Sequence, residues 1–150
     1  MRLPDEVRES FRRYGRQGGR ARAARMRPEE RTAVARRAAT ARWIRARFGG
    51  PSFGPLGIPG GDLVDAGLAD LASGETTVES LLVSLAVPRL RREGVPVGPT
   101  QPDPERRLYD LLTETAGDLA HARYGAYLRQ MVSFADACRL FRLPRGRHAS

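Results

Sequence analysis

Residues 119–143 run LAHARYGAYLRQMVSFADACRLFRL. Tyr124, Tyr127, Leu128, Met131, Phe134, Ala135, Cys138 and Phe141 follow one another at three- and four-residue steps, the spacing that keeps side chains on one face of an α-helix. A helix is therefore expected from Leu119 to about Leu143, ended by Pro144, with Cys138 as a small residue on its inward stripe. No stretch alternates with period two over a convincing length, so the fold class is all-α with no sheet.

The elements upstream fit that frame. Asp103-Pro104-Glu105 supplies a cap, a proline for the first helical position and an acid for the positive end of the helix dipole. The helix it starts runs to about Ala116, with Leu108, Leu111 and Leu112 inward and Tyr109 alongside, and Gly117-Asp118 closes it and caps the next. Residues 95–104 hold four prolines and read as an extended connector. Thr76 and Glu79 form a capping box ahead of Val78, Leu81, Leu82, Leu85 and Ala86. Pro88 ends or kinks that helix, and Arg89, Leu90, Arg91, Arg92 and Glu93 add a solvated turn before Gly94. A further helix spans Asp62 to Ser73, with Asp62 as its N-cap, Asp65 three residues on, Leu63, Val64, Leu68 and Leu71 as core, and Gly74 as its stop. Residues 62–143 thus form a small bundle of three to five helices with one modest core.

The N-terminal third has a different composition. Residues 49–61 hold six Gly and three Pro in thirteen positions, and read as a linker in which Phe53, Leu56 and Ile58 can dock in a groove when a partner is present. Ahead of it, residues 1–48 form a basic helical arm. Leu3, Val7, Phe11 and Tyr14 place a short helix over Pro4 to Tyr14, and Gly15, Gly18 and Gly19 end it. An Ala/Arg segment follows from Arg20 to Met26, marginal as a helix on its own. Pro28-Glu29-Glu30 starts a helix that runs to Phe48, with Val34, Ala38, Ala41, Ile44 and Phe48 on one arc. Arg36, Trp43 and Arg47 lie on the other side with Thr32 and Thr40. That face reads either as a half-buried Trp covering a neighbouring helix or as a partner anchor. Residues 144–150 read as a disordered basic tail.

Charge divides along the same lines. Residues 1–47 carry fifteen Arg against five acids, while residues 48–150 carry eleven Arg against twelve acids. The asymmetry points to an acidic partner for the arm: nucleic acid, an acidic protein surface or an anionic membrane face. All 26 basic residues are Arg and the chain has no Lys or Asn, a codon bias that weakens any argument from guanidinium chemistry but not the clustering. The candidate partner or nucleic-acid contacts are Arg20, Arg22, Arg25, Arg31, Arg36, Arg37, Arg42, Trp43 and Arg47.

Catalytic constellations are thin. His121 reads as a packed or capping residue, and Arg142 and His148 have an Arg-x5-His spacing that resembles the motif of HEPN-type ribonucleases, with Pro144 and Gly146 breaking the helix that motif needs. The single Cys138 has no Cys or His at metal-ligand spacing, and the carboxylates of 62–79 serve as caps. No enzyme activity, cofactor or metal is expected. The absence of a long apolar run and of a secretory signal points to a cytoplasmic protein with no membrane partner.

The run GRQGGRARAARMRPEERTAVARRAATARW, followed by DLVDAGLADLASGETTVESLLVSLAVPRL, ERRLYDLL and AHARYGAYLRQMVSF, resembles small bacterial antitoxin-like proteins encoded beside nucleotidyltransferase toxins of the AbiEii type. The resemblance implies an antitoxin that binds and neutralises such a toxin, with the arm covering its acidic pocket. Residue 27 departs from the pattern, which has Ser or Thr there. Arg27 cannot accept a hydrogen bond from the free amides, so that helix start is expected to be about 1 kcal/mol weaker. The alternative is a DNA- or RNA-binding protein that grips phosphates with the arm and forms a homodimer through the Tyr124 to Phe141 stripe; autoregulatory nucleic-acid binding by an antitoxin would combine the two.

Overall fold

The computed structural model describes residues 4–141. Leu3, the Arg142 and His148 pair, Pro144 and the 144–150 tail lie outside the described residues. Among those described, the chain forms six α-helices and no strand: α1 Asp5–Arg25, α2 Pro28–Phe48, α3 Gly61–Ser73, α4 Val78–Arg92, α5 Pro104–Ala116 and α6 Ala120–Phe141. Short 3₁₀ turns occupy Gly54–Leu56 and Gly117–Leu119. The all-α class holds. The chain divides into two units, Met1–Thr32 and Ala33–Ser150, with the division inside α2.

In the second unit α3 packs on α4, α4 on α5 and α6, and α5 on α6. The α6 stripe faces inward, with Met131, Phe134, Ala135 and Cys138 buried and Tyr124, Tyr127 and Leu128 half-buried. Those buried residues fill the core of their own chain.

The Gly/Pro stretch is folded into this core rather than extended. Phe53 is fully buried and Ile58 is 4% exposed. The Phe53 ring meets Phe134 edge-on with centroids 4.9 Å apart, Phe48 at 5.5 Å and Trp43 at 6.4 Å. Its backbone is fixed by Asp65, whose carboxylate accepts the N–H groups of Phe53 at 3.0 Å and Gly54 at 2.8 Å. At Gly61 a Cβ would come within 2.8 Å of the Phe53 carbonyl carbon, so only glycine lets α3 start against this turn. The groove in which Phe53 and Ile58 dock is their own chain's.

Several helix ends differ from expectation. Asp62 does not cap α3, because the helix already begins at Gly61 and puts Asp62 inside its first turn; the N-cap is Gly60, at φ 73° and without a side-chain bond. Gly74 does stop α3, at φ 75°, with its N–H and that of Glu75 bonded to Leu71 and Asp70 carbonyls, a Schellman closure. The α4 capping box lies one residue later than Thr76 and Glu79: Ser80 N–H donates to the Thr77 hydroxyl at 3.0 Å, and Thr77 N–H to the Ser80 hydroxyl at 2.8 Å. The shift lets the Thr77 hydroxyl donate to Asp70 of α3 at 2.6 Å, while Thr76 accepts from Arg107.

Pro88 sits inside α4 without ending it, and the turn beyond is not a solvated end. Leu90 is fully buried, and Glu93 is 5% exposed, its carboxylate accepting from Arg139 Nε at 2.8 Å. Asp103 adopts φ 44° and makes no side-chain cap bond. It lies in the left-handed region, not in the extended conformation usual before proline, and Asp tolerates that region better than most residues.

In the first unit the glycine break does not form. Helix α1 continues through Gly15, Gly18 and Gly19, none of which has positive φ. Each glycine costs about 1 kcal/mol relative to Ala in a helix interior. The Arg, Gln and Ala residues around them have high enough propensity to carry the helix through. Met26, with ψ 143°, turns the chain out at the end. At the start of α2 the missing Ser or Thr cap is partly replaced from the other direction. Glu30 accepts the Arg27 N–H at 2.9 Å and its guanidinium at 3.2 Å, the reciprocal half of a capping box. These bonds, the backbone one first, hold the Glu30 carboxyl below its ordinary range.

Two outcomes follow from these contacts. Phe53→Ala should cost about 3–5 kcal/mol in urea denaturation, whereas a loss below about 1 kcal/mol would mean the stretch is not core. The Glu30 contribution, from a depressed carboxyl, is fully present above the ordinary carboxylate pKa and disappears as pH falls through the lowered value. The Arg27 amide resonance should therefore titrate below that ordinary pKa and stop titrating in Glu30→Gln.

Candidate functional site

In the first unit the basic surface lies on one uninterrupted helix. None of the α1 side chains is buried. Arg20, Arg22 and Arg25 are exposed on its second half, and Arg31 is exposed in the first turn of α2. Because α1 passes through the glycines, Arg12, Arg13 and Arg16 belong to the same helix. Reading Gly15 to Gly19 as a helix end hid that continuity. Arg12, Arg16 and Arg20 recur at four-residue steps, each about 6 Å further along the axis. No ion pair engages them among the described residues. Asp5 does pair with Arg8, at 2.8 Å.

Another side of α1 is apolar. Val7, Phe11 and Tyr14 are 37%, 67% and 63% exposed, and their four- and three-residue spacing aligns them. Arg13 lies over the Tyr14 ring at 5.7 Å. An aromatic pair at this exposure on a helix with no buried residue leaves apolar area that the first unit does not cover.

The arginines of the second unit divide into three kinds. Arg36 and Arg42 are exposed. Arg37 is exposed yet committed, donating to the Ala69 carbonyl at 3.4 Å and to the Ser73 hydroxyl; it braces α2 against α3. Arg47 is half-buried, with its guanidinium over the Trp43 ring at 5.5 Å and its Nε shielded from solvent without an acceptor. Trp43 is itself half-buried, 5.7 Å from Phe48.

The Arg36, Trp43 and Arg47 face is thus not an open anchor. A Cβ at Gly94 would lie 3.5 Å from Trp43, and one at Gly98 would lie 3.8 Å from the Arg36 side chain. The proline-rich connector runs over this face, and Trp43 covers neighbouring structure as one of its two sequence readings held. The aliphatic arc fares differently from expectation too: Ile44 and Phe48 are buried, but Val34 is 47% exposed. The buried side of α2 is rotated toward Thr40, Trp43 and Arg47 because the aromatic cluster and the connector both lie there.

His121 is exposed on the first turn of α6, neither packed nor capping. No group of three or more His, Cys, Asp or Glu side chains among the described residues is arranged to hold a metal ion. No described helix is long and apolar enough to cross a membrane. No protein-family model, curated protein or solved structure matches this sequence.

The Arg47 geometry has a measurable consequence. Arg47→Met keeps an unbranched stem on Trp43 and removes a donor that lacks an acceptor, so stability should stay within about 1 kcal/mol of the parent in urea denaturation. Trp43→Ala should lose about 3 kcal/mol or more. A Met variant as damaged as the Ala variant would mean that the charge of Arg47, not its stacking, holds this edge.

Proposed function

We propose that this chain is a non-enzymatic, antitoxin-like protein that binds and neutralises a nucleotidyltransferase-type partner, with the helical second unit as scaffold and α1 as the segment that engages the partner. The observation that carries the reading is α1 itself. Twenty-one residues form a helix with none buried, presenting Phe11 and Tyr14 on one side and Arg12, Arg16 and Arg20 on another. A helix of that kind gains little from its own unit and has both ingredients of a recognition helix: aromatic anchors and charges free to pair. Nucleotidyl transfer gathers carboxylates around metal ions, and an arginine row is complementary to such a pocket.

The test is co-expression with the product of the neighbouring reading frame, followed by size-exclusion chromatography. The two should elute together at moderate salt, and Phe11→Glu combined with Arg16→Glu should weaken the complex at least tenfold. Two proteins that elute separately at both low and moderate salt would overturn the reading.

The same arginine row favours a second reading, attachment to nucleic-acid phosphates, because three cations in register along one helix neutralise a backbone without reading sequence. Anisotropy of a labelled generic duplex decides it. Binding should fall with rising salt at a log–log slope of about −0.9 per phosphate neutralised. A dissociation constant weaker than about 10⁻⁴ M at physiological salt would exclude nucleic acid as the main partner.

A further inference from the structure

Within the second unit, α2, α3 and the proline-rich connector enclose a cleft of about 200 Å³. Leu68 and Leu71 of α3 form its floor and are nearly buried; Ala39 and Ala72 on either side are small enough to leave it open. Pro96 to Pro99 close it from above. Two prolines in four residues fix the local backbone, so the roof is set before anything binds. The lining is mostly apolar, and its polar side chains are Thr40 and Arg36, whose stem runs along the connector at Gly98. Arg36 makes no hydrogen bond or ion pair among the described residues.

An apolar space with one unpaired cation at its edge selects a particular chemistry. Its volume exceeds that of an engineered cavity of about 150 Å³ that takes up benzene, so an aryl ring or a short alkyl chain fits. The guanidinium is complemented by an anion at the end of that group, since a charge-assisted bond there is stronger than any a neutral headgroup offers, and a carboxylate is the smallest planar anion that accepts it bidentately. We propose that this cleft is a binding site for a small aliphatic or aryl carboxylic acid, with the hydrocarbon over Leu68 and Leu71 and the carboxylate on Arg36. The site does not depend on the partner-binding role of α1.

The experiment titrates sodium octanoate into ¹⁵N-labelled full-length protein, with octan-1-ol as the uncharged probe, and repeats both on Arg36→Gln and Ala72→Phe. Octanoate should perturb amides of Leu68, Leu71, Val97 and Gly98 with a dissociation constant on the order of 1 mM or tighter. Arg36→Gln should weaken octanoate about five- to tenfold and leave octan-1-ol unchanged. Ala72→Phe, filling the space, should abolish both while its amide spectrum stays dispersed. If that variant does not fold, the two probes on Arg36→Gln alone decide. Equal octanoate affinity in the parent and Arg36→Gln, perturbations centred elsewhere, or no saturation below about 20 mM would each overturn the assignment.

Discussion

The contact on which the second unit depends is the insertion of Phe53 between α2 and α6. It meets Phe48 from the end of α2 and Phe134 from the middle of α6, with Trp43 at its side, in edge-on arrangements that suit the ring quadrupoles. A phenylalanine in a stretch of six glycines and three prolines has little local structure to hold it. Its place is set instead by Asp65, which binds the two consecutive amides at Phe53 and Gly54, and by Gly61, which lets α3 begin against the Phe53 carbonyl. One carboxylate and one missing Cβ thus turn a segment composed like a linker into the central piece of the core.

That dependence explains what could be read from the sequence and what could not. Helices α2, α5 and α6 were legible because their signals are local: a proline and acids at the start, and an apolar stripe at the helical period. The α4 box was legible in kind but not in position, since Thr76 and Thr77 look alike until Asp70 and Arg107 choose between them. Asp62 and Asp65 show the same limit. Both have the right chemistry for a cap, and only the position of Phe53, set by α6 seventy residues later in the chain, determines that Asp65 serves the turn. Glu93 and Leu90 were read as a solvated end because their partners lie on other elements, Arg139 of α6 among them.

The arginines were harder still, because a chain that uses Arg for every cation gives all of them the same weight. Structure separates them by what they touch. Arg37 is a brace, Arg47 is a stacked flat surface on Trp43, and Arg36 stands at the edge of a cleft. Arg12, Arg16 and Arg20 of α1 are exposed on the helix surface. Each position nevertheless has its own surroundings, and the surroundings distinguish structural cations from those able to meet a ligand.

The glycines of α1 carry one more consequence. Gly15, Gly18 and Gly19 are helical, and beyond their chain neighbours and the local helix backbone no atom lies within 4 Å of where a Cβ would stand. Neither backbone angle nor packing in the chain calls for glycine there, and together they cost about 3 kcal/mol of helix stability relative to alanine. Such a cost lowers the helical population of α1 relative to a helix with alanine at these positions. Whatever binds α1 as a helix sees an affinity reduced by that fraction, and alanines at these positions would raise affinity without adding a contact. In the complex proposed above, the glycines would thus set binding strength without touching the partner.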